Sequence, residues 1–148
     1  MVLRVLSVAF GVFFLLAVGL GALAPVLASA GYAKVVGLYL FFEPVCRQDL
    51  TNSWSYHGIS AALCIRCSGA YLGAAVALLR PAQMSLRGFA LAAACVACAW
   101  SLEIFGGFTA PEPVRFATGL GFGATLAGVT LQQASGNSLL SRLLFRRG

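Results

Sequence analysis

The chain has 148 residues, of which 60% are hydrophobic and 9% are charged, and its mean hydropathy is +0.91. Soluble domains carry roughly 25% charged residues, so the polar residues of this chain are too few to cover a globule in water. The formal net charge of +6 comes from basic residues scattered singly along the chain. Without a basic stripe and interleaved aromatic residues, nucleic acid is excluded as a partner. The composition therefore indicates an integral membrane protein whose solvent is the lipid bilayer.

Four segments are long and apolar enough to cross a bilayer, which takes about 20 residues each. They cover approximately residues 5–27, 59–79, 88–108 and 114–132. Gly and Ala recur throughout, which favours close packing of helices in lipid over strands. We expect a single all-α transmembrane domain, residues 1–148, folded as a bundle of four helices. The small-xxx-small pairs are expected at helix–helix contacts: Gly69/Gly73 and Gly119/Gly123.

The first apolar segment imitates a secretory signal, because Ala28-Ser29-Ala30 before Gly31 resembles a cleavage site. Its apolar run of about 20 residues exceeds the 7–15 typical of a signal, so we expect an uncleaved anchor. The longest non-spanning stretch, residues 28–58, follows. Its first part is apolar and predicts an interfacial or re-entrant helix that ends before Pro44. Its second part is the most polar segment of the chain.

The distribution of basic residues predicts that both termini are cytoplasmic. With the N-terminus inside, the cytoplasmic side holds six arginines and no acidic residue: Arg4, Arg80, Arg87, Arg142, Arg146 and Arg147. The outer side is near neutral, with Lys34, Arg47, Arg66 and Arg115 offset by Glu43, Asp49 and Glu112. The tail, residues 135–148, is read either as an amphipathic helix on the inner membrane surface or as a frayed basic end.

This topology brings cysteine, histidine and glutamate residues from distant segments together at the outer side of the membrane. Cys46 and His57 lie in the loop before the second span, and Cys64 and Cys67 lie in the first turns of that span. Glu103 lies near the outer end of the third span. We therefore expect a cysteine-centred site there, with five candidate metal ligands: Cys46, His57, Cys64, Cys67 and Glu103.

The C-x-x-C pair, Cys64 and Cys67, shares one helix face. The helix N-terminus and the neighbouring Arg66 both favour the thiolate, the form that ligates metals and exchanges disulfides. With Cys46 and His57 the pair makes a Cys3His set, the composition of a closed zinc site. Three interpretations stay open: a zinc site, a disulfide or redox pair among the three thiols if the outer side is oxidising, and inert packing.

A carboxylate inside a spanning segment costs several kcal/mol unless it is paired. Arg66 and Arg115 are near the same depth as Glu103, so one of them is its expected partner. Two roles stay open for Glu103. It is either half of a structural ion pair that fixes the helices against each other, or a functional group that binds metal or accepts a proton.

A second C-x-x-C, Cys95 and Cys98, is predicted to be packing rather than part of the site. Counted outward from Gly88 at 1.5 Å per residue, these residues lie about 10 and 15 Å into the bilayer core. Zinc–sulfur bonds are about 2.3 Å long, so these thiols cannot share a metal with thiols at the outer edge. The chain has no nucleophile–base triad, phosphate loop, dinucleotide fingerprint or H-E-x-x-H, and no catalytic residue is predicted.

The stretch "CIRCSGAYLG", Cys64–Gly73, resembles the C-x-R-C-[ST]-G-x-Y-x-G signature of predicted membrane proteins grouped as domain of unknown function 2085. In that family a Cys-His-Gln precedes the signature, where this chain has Cys46-Arg47-Gln48. A later R-x-x-T-G-L matches Arg115–Leu120, followed by Gly123. Arg47 thus replaces one histidine, and Glu103 is an approximate counterpart of an aspartate that ends the third helix of the family. The resemblance implies a small polytopic protein of a prokaryotic inner membrane, without an assigned activity.

Three functions follow as hypotheses. The first is a membrane protein with an outer cysteine-centred metal site, zinc foremost, of structural character. The alternative is an accessory subunit of a larger respiratory, photosynthetic or transport assembly, favoured by the glycine-rich helix faces. The third is a membrane thiol–disulfide oxidoreductase, in which Cys64 and Cys67 cycle and Cys46 resolves.

Overall fold

The computed structural model describes residues 2–48, 52–80, 86–107 and 110–134. Within these residues it contains five α-helices: α1 (Val2–Ser29), α2 (Val36–Phe42), α3 (Ile65–Leu79), α4 (Leu86–Gly106) and α5 (Glu112–Ala134). A 3-10 turn, Ala33–Val35, precedes α2, and two short antiparallel strands form a hairpin, β1 (Ser55–Tyr56) and β2 (Ile59–Ser60). The all-α fold class is confirmed. The predicted amphipathic tail, residues 135–148, lies outside the described residues.

Two of the described helices, α1 and α5, are long and apolar enough to cross a membrane. The helix α3 and the apolar part of α4, Ala90–Glu103, are shorter. In sequence position, α1, α3, α4 and α5 correspond to the four spans that the hydropathy predicts. Large apolar side chains cover the outside of the fold: Leu16 is 60% exposed and Leu91 is 67% exposed. Such a surface suits lipid rather than water.

The helix α1 packs against α3 through a face of small residues. Ser7, Gly11, Ala17 and Gly21 are buried at near-helical spacing along it. The hydroxyl of Ser7 donates to the carbonyl of Leu78 at 2.5 Å, so the start of α1 lies beside the end of α3. The two helices therefore run antiparallel, and α1 is an integral part of the bundle.

The closest helix contact in the described structure joins α3 to α5 through the two glycine pairs. A Cβ atom on Gly73 or Gly123 would lie closer than 3.0 Å to a backbone carbonyl oxygen of the facing helix, at Leu120 or Ala70. Only glycine permits the backbones to approach this closely. The prediction that these glycines lie at a helix–helix contact is confirmed. The helices α3 and α5 run parallel, because Gly69 faces Phe116 and Gly73 faces Leu120.

The segment between α1 and α3 folds back over the end of α1. A short helix forms where the apolar pattern predicts one, and it ends at Phe42, two residues before Pro44. The second long helix begins at Ile65 rather than at about residue 59, because residues 59 and 60 form β2 and pair with β1. The hairpin is fixed to α2 by the hydroxyl of Tyr39, which donates to the carbonyl of Ser60 at 2.7 Å.

Candidate metal centre

Three cysteines meet where the loop after α2 contacts the start of α3. Cys46 lies four residues after the end of α2 and is 3% exposed, packed in the core with Phe42 and Leu63. Cys64 is the N-cap residue of α3, and Cys67 lies one turn further along the same face. Their three sulfur atoms lie within 4.8 Å of one another. Two chain segments that are 18 residues apart thus deliver thiols to one point.

Backbone amides support this cluster by donating to sulfur. The amide N–H of Cys64 donates to the sulfur of Cys46 at 3.2 Å, and the amide N–H of Cys67 donates to the sulfur of Cys64 at 3.4 Å. The second contact is the N-cap of α3, in which a thiol takes the place of the usual hydroxyl or carboxylate oxygen. Hydrogen bonds of this kind favour a charged sulfur over a neutral one.

The contacts within the cluster favour the thiolate form at Cys46. Hydrogen bonds from the thiols of Cys64 and Cys67 lower the pKa of Cys46, and the backbone N–H groups of Cys64 and Gln48 lower it further. The pKa of Cys64 is raised, chiefly because its thiol donates to Cys46. The sequence pattern favours the thiolate at Cys64 and Cys67, beside the helix N-terminus and Arg66. The hydrogen bonds from these two thiols to the third sulfur favour the negative charge at Cys46 instead.

Beside the thiols, a carboxylate joins three helices. Glu103 of α4 accepts from the guanidinium of Arg66 on α3 at 2.9 Å and from Nε of Arg115 on α5 at 3.1 Å. Arg115 is 8% exposed, and its Nη1 also donates to the amide oxygen of Asn52 in the loop. The network therefore ties α4 to α3 and α5 at the end of the bundle that carries the cysteines.

The thiols and the ion network line one cavity of about 430 Å³. Its wall also carries Gln48 and Arg47. Arg47 is exposed at the rim, whereas Cys46, the next residue back, is buried. Four parts of the chain thus bring three thiols together with charged side chains that are mostly positive among the described residues.

The other candidate ligands lie outside the cluster of three thiols. His57 is exposed in the turn of the hairpin at φ +51°, with its ring against that of Tyr56 at 4.4 Å between centroids. Among the described residues, the group of clustered ligand atoms contains the three cysteines and includes neither His57 nor Glu103. Cys95 and Cys98 are exposed on α4, and all five cysteines, each within the described ranges, are free thiols.

Asn52 is the site residue that the sequence reasoning did not anticipate. It contacts Arg115, which lies 63 positions further along the chain. A lone asparagine in a polar loop gives no signal of such a contact, because only the fold of the segment over α1 brings the two together. Gln48 entered the sequence reasoning through the family pattern alone, yet its side-chain amide fixes the loop by donating to the carbonyl of Tyr39 at 2.6 Å.

The fold and the site together define a class: an all-helical protein with an apolar exterior, which holds three thiols beside an arginine–glutamate network at one end. The model of the family described as "Predicted membrane protein", domain of unknown function 2085, matches residues 46–129, more than half of the chain. The chain belongs to this family, as the ten-residue signature predicted, and the match begins at Cys46. No curated protein and no solved structure matches the chain.

Proposed function

We propose that this membrane protein binds a soft metal ion, zinc foremost, through Cys46, Cys64 and Cys67. The observation that carries the proposal is the convergence of the three sulfur atoms within 4.8 Å. Tetrahedral zinc with bonds of about 2.3 Å places its sulfur ligands about 3.8 Å apart. The distances between the sulfur atoms need to shorten by about 1 Å at most to reach this spacing. Thiolate sulfur selects zinc, copper(I) or iron among biological metals, and the chain lacks the histidine-rich sets of other sites.

The role of the metal in this proposal is structural. Cys46 belongs to the loop after α2, and Cys64 and Cys67 belong to α3, so a shared ion fixes the loop to the start of the helix. The N–H···S hydrogen bonds at Cys46 and Cys64 support this role, because they orient the sulfur atoms and stabilise thiolate charge. His57 and Glu103 are left out of the ligand set, since one is exposed in the hairpin turn and the other is held by two arginines.

The placement in the membrane is part of the same proposal. We place α1, α3, α4 and α5 across the bilayer with both termini in the cytoplasm. The antiparallel packing of α1 on α3 brings Arg4 and Arg80 to one end of the bundle, and Arg87 opens α4 after the short connection that follows. The cysteines lie at the opposite end. This separation supports the positive-inside assignment and an outward-facing site.

The length of α3 supports a site within the outer membrane interface. Fifteen residues rise by about 22 Å, which is less than the hydrocarbon core of roughly 30 Å. The hairpin and the residues around Cys64 then lie at the depth of the lipid headgroups. At this depth the apolar residues around Cys46 shield the sulfur atoms, and the polar wall of the cavity faces the outside.

Metal analysis of the protein purified without chelators tests the proposal. We expect about one zinc per chain, with three sulfur neighbours at about 2.3 Å in the X-ray absorption spectrum. Cys67→Ala should lose the metal. The matched control, in which Cys95 and Cys98 are both changed to Ala, removes two other thiols and should retain it. Wild-type protein without stoichiometric metal, or equal metal in both variants, contradicts the proposal.

Thiol trapping in the membrane separates this proposal from the oxidoreductase alternative. We expect Cys64 and Cys67 to stay reduced and to react with a trapping reagent only after the metal is removed. A disulfide between any two of the three thiols that forms and disappears with the redox conditions contradicts the metal site and favours a thiol–disulfide enzyme.

A further inference from the structure

The three cysteines fill three of the four positions of a bound zinc ion, and the described residues supply no fourth ligand. Among the described residues, no other histidine, cysteine or carboxylate joins the cluster of ligand atoms. All three cysteines line the cavity of about 430 Å³, which is far more space than one water molecule occupies, about 30 Å³.

The charge of the cavity wall selects the kind of ligand. Among the described residues, Arg47, Arg66 and Arg115 line it together with the carboxylate of Glu103, so these side chains carry a formal net charge of two positive units. Zinc with three thiolates carries one negative unit. One positive unit therefore remains when both are counted together, and it favours a fourth ligand that brings a negative charge.

The placement of hydrogen-bond donors agrees with this charge balance. Glu103 and Asn52 contact Arg115 at Nε and Nη1, and the guanidinium also carries the two N–H groups of Nη2. Arg47 stands at the exposed rim, directly after the ligand Cys46. The positive end of α3, whose N-cap is Cys64, adds a partial charge of the same sign.

We propose that the fourth position of the metal is open to the cavity and takes a small monoanion, of the carboxylate or thiolate class. This inference rests on the proposed metal site. The anion coordinates the metal directly and is held by the positive wall, with Arg47 at the entrance. Arg66 and Arg115 contribute charge while they remain bound to Glu103. The metal thereby keeps its structural role and also forms an outward-facing receptor for an anion.

Cobalt(II) replaces zinc as the probe, because its visible spectrum reports the number and kind of ligands. The protein is loaded to saturation with Co²⁺ and titrated with azide, a small monoanion, and in parallel with imidazole, a neutral donor. We expect azide to shift the ligand-field bands in a saturable manner and to bind more tightly than imidazole. Arg47→Gln should weaken azide binding by about threefold to tenfold, and Arg47→Lys should restore most of it.

The matched control is Lys34→Gln. It removes one positive charge from an exposed residue between α1 and α2 that does not line the cavity, and it should leave azide affinity unchanged. Saturating Co²⁺ in every sample removes any effect of these variants on metal affinity. A spectrum that azide does not alter shows a closed site and overturns the inference. Tighter binding of imidazole, or equal effects of Arg47→Gln and Lys34→Gln, overturns the selection for an anion.

The same titration separates this inference from the proposed function. Thiolate-to-cobalt charge-transfer bands before any azide is added support the three-cysteine metal site on their own. Their absence contradicts the metal site itself and the anion site with it. Bands that are present but insensitive to azide contradict the anion site alone.

Discussion

Neutralising Glu103 tests whether the ion network holds the bundle together. The carboxylate accepts from Arg66 and Arg115 at 2.9 and 3.1 Å, and its side chain is 19% exposed. Glu103→Gln removes the charge and keeps one acceptor oxygen. Hydrogen bonds to charged groups contribute about 1.5–3 kcal/mol each, and stranding a fully buried partner costs about 3–5 kcal/mol. Because this network borders an open cavity, we expect a loss of about 2–3 kcal/mol in the free energy of unfolding.

Reversible unfolding by SDS in mixed micelles measures this loss. The control Glu43→Gln removes an exposed carboxylate after α2 and should change the free energy of unfolding by less than about 0.5 kcal/mol. Combining Glu103→Gln with Arg115→Gln should cost less than the sum of the two single changes, with a coupling energy of about 1 kcal/mol or more. A Glu103→Gln protein as stable as the control refutes the network as a source of stability. Retained metal in this variant agrees with a ligand set without Glu103.

Three further outcomes follow from the packing and the thiols. Gly123→Ala places a methyl group against the carbonyl of Ala70 and should destabilise the protein by about 1–3 kcal/mol. Gly121→Ala, whose Cβ meets no atom within 4 Å, should be neutral or stabilising in the same SDS titration, and equal effects would contradict the close α3–α5 contact. Because the pKa of Cys46 is lowered and that of Cys64 is raised, zinc binding at pH 7 should release about two protons rather than three. Apparent zinc affinity should then fall by about 100-fold for each pH unit of acidification. Calorimetry in buffers of different ionisation enthalpy measures the number of protons released on zinc binding. Release of three protons would contradict a preformed thiolate. The last outcome compares metal-free protein, prepared with a chelator, with protein in free zinc at 100 times the dissociation constant. The free energy of unfolding should be about 2.7 kcal/mol lower without the metal. An unchanged free energy of unfolding would contradict a structural role of the metal.

The sequence determined the protein class and the helix contacts because both depend on local patterns. Apolar runs place the long helices, and glycines four residues apart predict close helix contacts, since no other residue permits such close backbones. Only the fold shows that these contacts join α3 to α5. The C-x-R-C signature determined the family and marked Cys64 and Cys67 as site residues. A carboxylate at the depth of Glu103 requires a partner, so charge and depth predicted either Arg66 or Arg115. The structure pairs Glu103 with both.

Only the tertiary structure decided which of the remaining candidates meet. The path of the loop over α1 is set by burial of Phe42 and by the contact of Tyr39 with the hairpin, neither of which has a periodic sequence signal. That path carries Cys46 to α3 and leaves His57 in an exposed turn. Contacts between residues far apart in the chain depend on how whole elements pack, so the sequence predicted five candidate ligands and the fold brings three of them, the cysteines, together.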